Sequence, residues 1–138
     1  MTPERERAST LLLFPAALLV MVVLAAVTVD FARLHLAQRQ VEDLAAATAN
    51  DAVTVGLDID GFRSGDDYRL DADRVDAVAA VRATRADLPV TVANRLTGPR
   101  SVRVEVSAPV PLAFSRALPG APPRVVVRGH AEAMAHLR

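Results

Sequence analysis

From Thr10 to Val29 the chain reads TLLLFPAALLVMVVLAAVTV, 20 residues without a charge, in which only Thr10 and Thr28 are polar. A helix of that length rises about 30 Å, the thickness of a bilayer's hydrocarbon core. Each Leu, Val and Phe favours insertion by a few tenths of a kcal/mol, so the sum is roughly several kcal/mol with no charge opposing it. The segment is therefore read as a transmembrane helix over residues 10–29. Pro15, close to its start, is tolerated there.

A cleaved secretory signal would have a shorter apolar region, about 7–15 residues, ending in small residues. Here the run is longer and is followed by Val-Thr-Val-Asp-Phe, a poor cleavage site, so an uncleaved anchor is expected. Arg5 and Arg7 before the span balance Arg33 and Arg39 after it, so basic residues alone leave the orientation tied. The short N-terminal tail, residues 1–9, holds nothing that needs export. The expected topology is a cytoplasmic tail and an extracytoplasmic domain over residues 30–138, single-pass in the cell membrane.

Beyond Asp30 the helical pattern continues. The segment FARLHLAQRQVEDLAAATANDAV has no Gly or Pro and is rich in strong helix formers. Leu34, Ala37, Val41, Leu44, Ala45, Thr48 and Ala52 recur at three- and four-residue steps, which predicts an amphipathic continuation of the same helix to about Val55. Gly56 would end it in a left-handed cap. Arg39 and Asp43 are spaced to pair along it.

Leu57 to Leu70 reads as a polar loop. Asp58, Asp60, Asp66 and Asp67 could ligate calcium, but the spacing of an EF-hand loop is missing. A second helix is expected over 72–86, capped by Asp71 or Asp73 and stopped by Pro89. Period-two patterns follow: a short strand beginning at Val90 and Val92, a turn at Thr97–Arg100, and a strand over Ser101–Leu112 with Val102, Val104, Val106, Ala108, Val110 and Leu112 on one face. Pro109 and Pro111 should weaken its far end or place it at an edge. After a loop from Ala113 to Pro123, a last strand puts Val125, Val127, Ala131, Ala133, Ala135 and Leu137 on one face and Arg124, Arg128, His130, Glu132, Met134 and His136 on the other.

The fold expected is α+β: a transmembrane helix that continues as a long amphipathic helix packed on a small antiparallel sheet of about three strands. Its Leu34/Val41/Leu44 stripe should lie on Val104, Val106, Val127 and Ala133.

The N-terminal segment resembles the TadE/TadG-like proteins of bacterial tight-adherence (Flp-type) pilus machinery. The likeness rests on Arg7-Ala8-Ser9, the apolar span Leu11–Val29, then Asp30-Phe31-Ala32-Arg33-Leu34, and then the Ala-rich run from Leu36 to Ala47. It covers about the first 52 residues. It implies a pilin-like order of elements and a structural role in pilus assembly or a related secretion machine. Pilins carry a Gly before the apolar run, where a prepilin peptidase cuts, and a Glu five residues later. Ala8 and Leu13 stand at those places. The buried pairing made by that Glu cannot be made by Leu, so the chain is closer to the TadG-like members, and no cut near Ala8 is expected.

Chemistry-bearing residues are sparse. With no cysteine, disulfides, thiol catalysis and zinc-thiolate sites are excluded. A formal net charge of zero gives no electrostatic reason for nucleic-acid binding. All 16 basic residues are Arg, which with the abundant Ala reads as the habit of a GC-rich bacterial source. His130 and His136 are about 20 Å apart along a strand and cannot share a metal. Ser101, Ser107 and Ser115 lack the setting of a nucleophile elbow, and His35 reads as interfacial. No enzyme activity, cofactor, metal or small-molecule substrate is expected. Asp30, at the lipid boundary, either marks where lipid ends or, with Arg33, contacts a partner helix in an assembly. The expected partners are the membrane and other pilus-assembly or pilin-like proteins. The rival expectation is a membrane-tethered binding module that uses the charged face of the sheet.

Overall fold

One helix carries the whole N-terminal part of the chain. In the computed structural model, which describes residues 3–65, 67, 69–114 and 120–136 with side chains from Leu13 onward, α1 runs from Pro3 to Val55. Its 53 residues make a rod about 80 Å long. The hydroxyls of Thr28, Thr48 and Thr54 donate to the carbonyls of Leu24, Leu44 and Asn50, so the helix meets their polar demand itself.

Over its first half α1 stands clear of the rest of the chain. Its most apolar stretch is only 6% buried, so it is not the core helix of the folded domain, and by length and composition it can cross a membrane. Leu13, Phe14, Leu18, Leu19 and Met21 are all exposed. Over its second half the exposure becomes one-sided. Asp30, Ala37, Val41, Ala45, Thr48, Ala49 and Ala52 are buried, with Leu34 and Leu44 partly so. This is the expected stripe with Ala49 added and Leu44 moved to its margin.

The stripe lies on a three-stranded antiparallel sheet in the order β1 (Thr91–Gly98), β2 (Ser101–Pro111), β3 (Arg124–Met134). The register sets Val104 against Asn94 on one side and Ala131 on the other, and Val106 against Val92 and Gly129. Val102, Val104, Val106, Ala108, Val110 and Val127 form the core with the alanines of α1. The opposite face, with Arg103, Glu105, Arg128 and His130, is open to solvent.

Gly129 sets how near the two layers come. A Cβ placed there would lie 2.9 Å from both N and Cα of Glu42 and 3.0 Å from the carbonyl carbon of Val41. The helix backbone thus rests directly on β3, and the Gln38 side chain donates to the Arg128 carbonyl at 2.8 Å beside that contact. The close contact falls at this glycine, which precedes the alanines Ala131 and Ala133 of β3.

Four local readings are corrected or refined. Gly56 is not in a left-handed cap: the glycines with positive φ are Gly65 and Gly120. Gly56 is required by space, since a Cβ there would fall 2.3 Å from the Ala52 carbonyl oxygen and 2.8 Å from Val75 Cγ2. The 57–70 segment is more than a loop. It contains the single turn α2 (Ile59–Arg63), capped by Asp58, and is closed by a bridge between Leu57 and Leu70. Helix α3 (Ala72–Thr84) begins at the Asp71 cap as expected and ends two residues before Ala86. Pro109 and Pro111 lie in the central strand, not an edge strand, yet β1 reaches only as far as Ser107. Past that point β2 is paired on one side alone, so a missing N–H removes no bond to β1. Residues 115–119 of the expected 113–123 loop, with Ser115, and also Asp66 and Leu137, lie outside the described residues.

Candidate functional site at the end of the apolar span

The helix α1 leaves its uncharged segment at Val29, and the next residue is the most buried ionisable group among the described residues. Asp30 is 2% exposed. Its Oδ1 accepts from the backbone N–H of Ala113 at 2.9 Å and its Oδ2 from that of Phe114 at 3.0 Å. Charge-assisted bonds of this kind are about twice as strong as neutral ones. They tie the chain leaving β2 to the point where the uncharged segment of α1 ends. Asp30 was read either as a boundary marker or as a contact for another chain; the structure occupies both of its oxygens within this chain. The contact spans more than 80 residues of sequence, and no local pattern could have announced it. Arg33, the other expected contact, is exposed.

Around Asp30 the surface is apolar and basic. Phe31 is 73% exposed, Phe114 49% and Val126 51%. Phe31, Leu34, His35 and Gln38 of α1 and Val125 to Arg128 of β3 line a shallow open depression of about 430 Å³. His35, expected to be interfacial, lies on its rim.

The far end of the domain is held by acids. Asp51 on α1 receives the Arg82 guanidinium from α3, with Nε donating to Oδ2 at 2.6 Å. Arg74 donates to the Leu57 carbonyl at 2.9 Å and faces Asp71 at 3.5 Å and Asp60 at 3.6 Å. Asp58 accepts from Gly61 N at 2.9 Å. Four of the acids in this region thus have structural uses: Asp51 pairs with Arg82, Asp58 caps a turn, and Asp60 and Asp71 face Arg74. Among the described residues no three His, Cys, Asp or Glu side chains converge in a way that could hold a metal ion. On β3, Glu132 accepts from Thr97 Oγ1 at 2.9 Å and pairs with Arg103 at 3.8 Å, which directs it across the sheet, and His130 stands opposite Glu105. A groove of about 330 Å³ beside α1 is lined by Val41, Leu44, Ala47, Leu88 and Val90, with Asp43, Arg85 and Asp87 at its margin. It offers no nucleophile next to a base.

The arrangement defines an α+β domain built on the continuation of an apolar N-terminal helix. No protein-family model, curated protein or solved structure matches the chain.

Proposed function

We propose that the protein is a structural, membrane-anchored assembly component of the TadG-like kind, a minor pilin-like part of a tight-adherence pilus or a related bacterial secretion machine. The observation that carries this reading is the division of one continuous helix. Residues 13–29 present apolar side chains on all sides, and residues 30–55 serve as the backing layer of a small sheet. Such a helix couples lateral packing in the membrane to the position of a domain outside it. The domain is placed on the extracytoplasmic side, with the N-terminus in the cytoplasm, and the chain keeps its first eight residues, because Ala8 and Leu13 stand where a processed pilin has Gly and Glu. With Asp30 engaged inside the domain, contacts to partner chains fall to the 13–29 surface and Arg33.

Deleting the protein in its host should abolish fibre assembly or secretion, and substituting the lipid-facing residues Leu18 and Val22 should reproduce that loss. Charge reversals at Arg95, Arg103 and Arg128 on the open sheet face should leave assembly intact. The opposite pattern, with the sheet face essential and the helix face indifferent, would identify a tethered binding module instead.

A further inference from the structure

We propose that the membrane-proximal end of the domain is itself a bilayer contact: Phe31, Phe114 and Val126 enter the boundary between headgroups and acyl chains, and the arginines around them meet anionic headgroups. The inference rests on the anchored reading above.

The first argument is one of height. Asp30 directly follows the last residue of the apolar span, and its carboxylate fixes the backbone of Ala113 and Phe114 to that level. The end of β2 and the start of β3 therefore lie at the lipid surface. The opposite end of the sheet, where Leu70 N donates to the Pro99 carbonyl, lies about 35–40 Å further along α1.

The second argument is composition. Two of the chain's four phenylalanines, Phe31 and Phe114, occupy this end and are exposed, with Val126 beside them. Apolar side chains held at an interface enter the headgroup–acyl boundary.

The third argument is charge. From Phe31 to Val41, α1 carries Arg33 and Arg39 and no acid; from Val106 to Pro111, β2 carries none; from Arg124 to Ala131, β3 carries Arg124 and Arg128 and no acid. Asp30, the acid at this level, is buried. Asp51, Asp58, Asp60, Asp71, Asp73 and Asp76 gather at the other end. The end of the domain next to the apolar span thus carries an excess of arginine, which favours an anionic surface, whereas the acids of the other end are interleaved with Arg74 and Arg82.

A second copy or a partner protein could also cover an apolar patch. Lipid is favoured because the anchor holds this patch at the bilayer permanently, so that contacts too weak to bind alone act at high effective concentration. The contact would fix the tilt of the domain over the membrane.

The chain has no tryptophan, so one introduced residue reports its own surroundings. Full-length F114W, V81W and L19W are reconstituted separately into phosphatidylcholine–phosphatidylglycerol vesicles containing lipids brominated at shallow acyl positions. Val81 is exposed on α3 near the Asp51–Arg82 pair, far from the lipid. The expected result is a blue-shifted F114W emission quenched several-fold more than that of V81W, weakening when phosphatidylglycerol is omitted or when Arg124→Gln is added. If L19W is unquenched by any brominated lipid, the anchor fails and this inference with it. If L19W is quenched but F114W behaves like V81W, the anchor stands and the inference is overturned. An F114W shielded from aqueous iodide yet untouched by brominated lipid would mean a protein occupant, which also overturns it.

Discussion

Replacing Gly129 with alanine tests the layer contact on which the domain depends. The added Cβ would sit 2.9 Å from N and Cα of Glu42 and 3.0 Å from the Val41 carbonyl carbon. These are backbone atoms of a continuous helix, so no side chain can swing aside. Reaching ordinary contact requires lifting α1 from β3 by roughly 0.5 Å, and a gap of about 0.5–1 Å forfeits a quarter to a half of the dispersion well of each atom pair across it. The pairs affected are those of Ala37, Val41 and Ala45 with Val104, Val106 and Val127. Overpacking of this kind costs about 1–3 kcal/mol. In a domain of about a hundred residues each kcal/mol moves the melting temperature by roughly 4–8 °C. Thermal unfolding of the full chain in detergent micelles, followed by circular dichroism, should therefore show a fall of at least several degrees for Gly129→Ala. The exposed neighbour change His130→Ala should stay within about 0.5 kcal/mol of the parent. The sign carries the test. Alanine is a better strand residue than glycine and restricts the unfolded chain, so without the helix contact the same change would stabilise by about 0.4–1 kcal/mol. A raised melting temperature would refute the packing of α1 on β3.

Other expectations follow from the same geometry. Asp30→Ala should destabilise the domain by about 2–3 kcal/mol, because two backbone N–H groups lose a charged acceptor, and Asp30→Asn should recover part of that loss in the same melting assay. The Asp51–Arg82 pair is more than a third exposed on both sides, so a double-mutant cycle should give a coupling of under about 1 kcal/mol that shrinks as salt is added. The full chain should stay with the membrane pellet after a carbonate wash, and intact-mass measurement should find residues 1–8 still attached; loss of those eight residues would mean pilin-like processing. Gly65→Ala should cost about 1–2 kcal/mol through its φ of +90° although nothing crowds the position, and a neutral result would overturn that backbone conformation.

Much of this protein could be read locally. The uncharged run ending at Val29, the period of the Ala37/Val41/Ala45 stripe and the alternation of Val102 to Val110 each encode their element through a repeat only a few residues long, and that is the scale on which helix and strand geometry act. The Asp71 cap is likewise set by neighbours in sequence, whereas the need for glycine at 56 comes in part from Val75. Other features needed distant parts of the chain to meet. Nothing in the sequence near Asp30 shows that its carboxylate would close on Ala113 and Phe114, and nothing near Asp51 names Arg82. The need for glycine at 129 shows only where the backbone of Glu42 lies on it. Pro109 and Pro111 argue for an edge until the length of β1 leaves one side of the central strand open. The excess of arginine at the end next to the apolar span is hidden in a net charge of zero. Periodicity fixes which face of an element is apolar, but which partner covers it, at what distance and at what level along α1 follows from packing between segments separated by tens of residues.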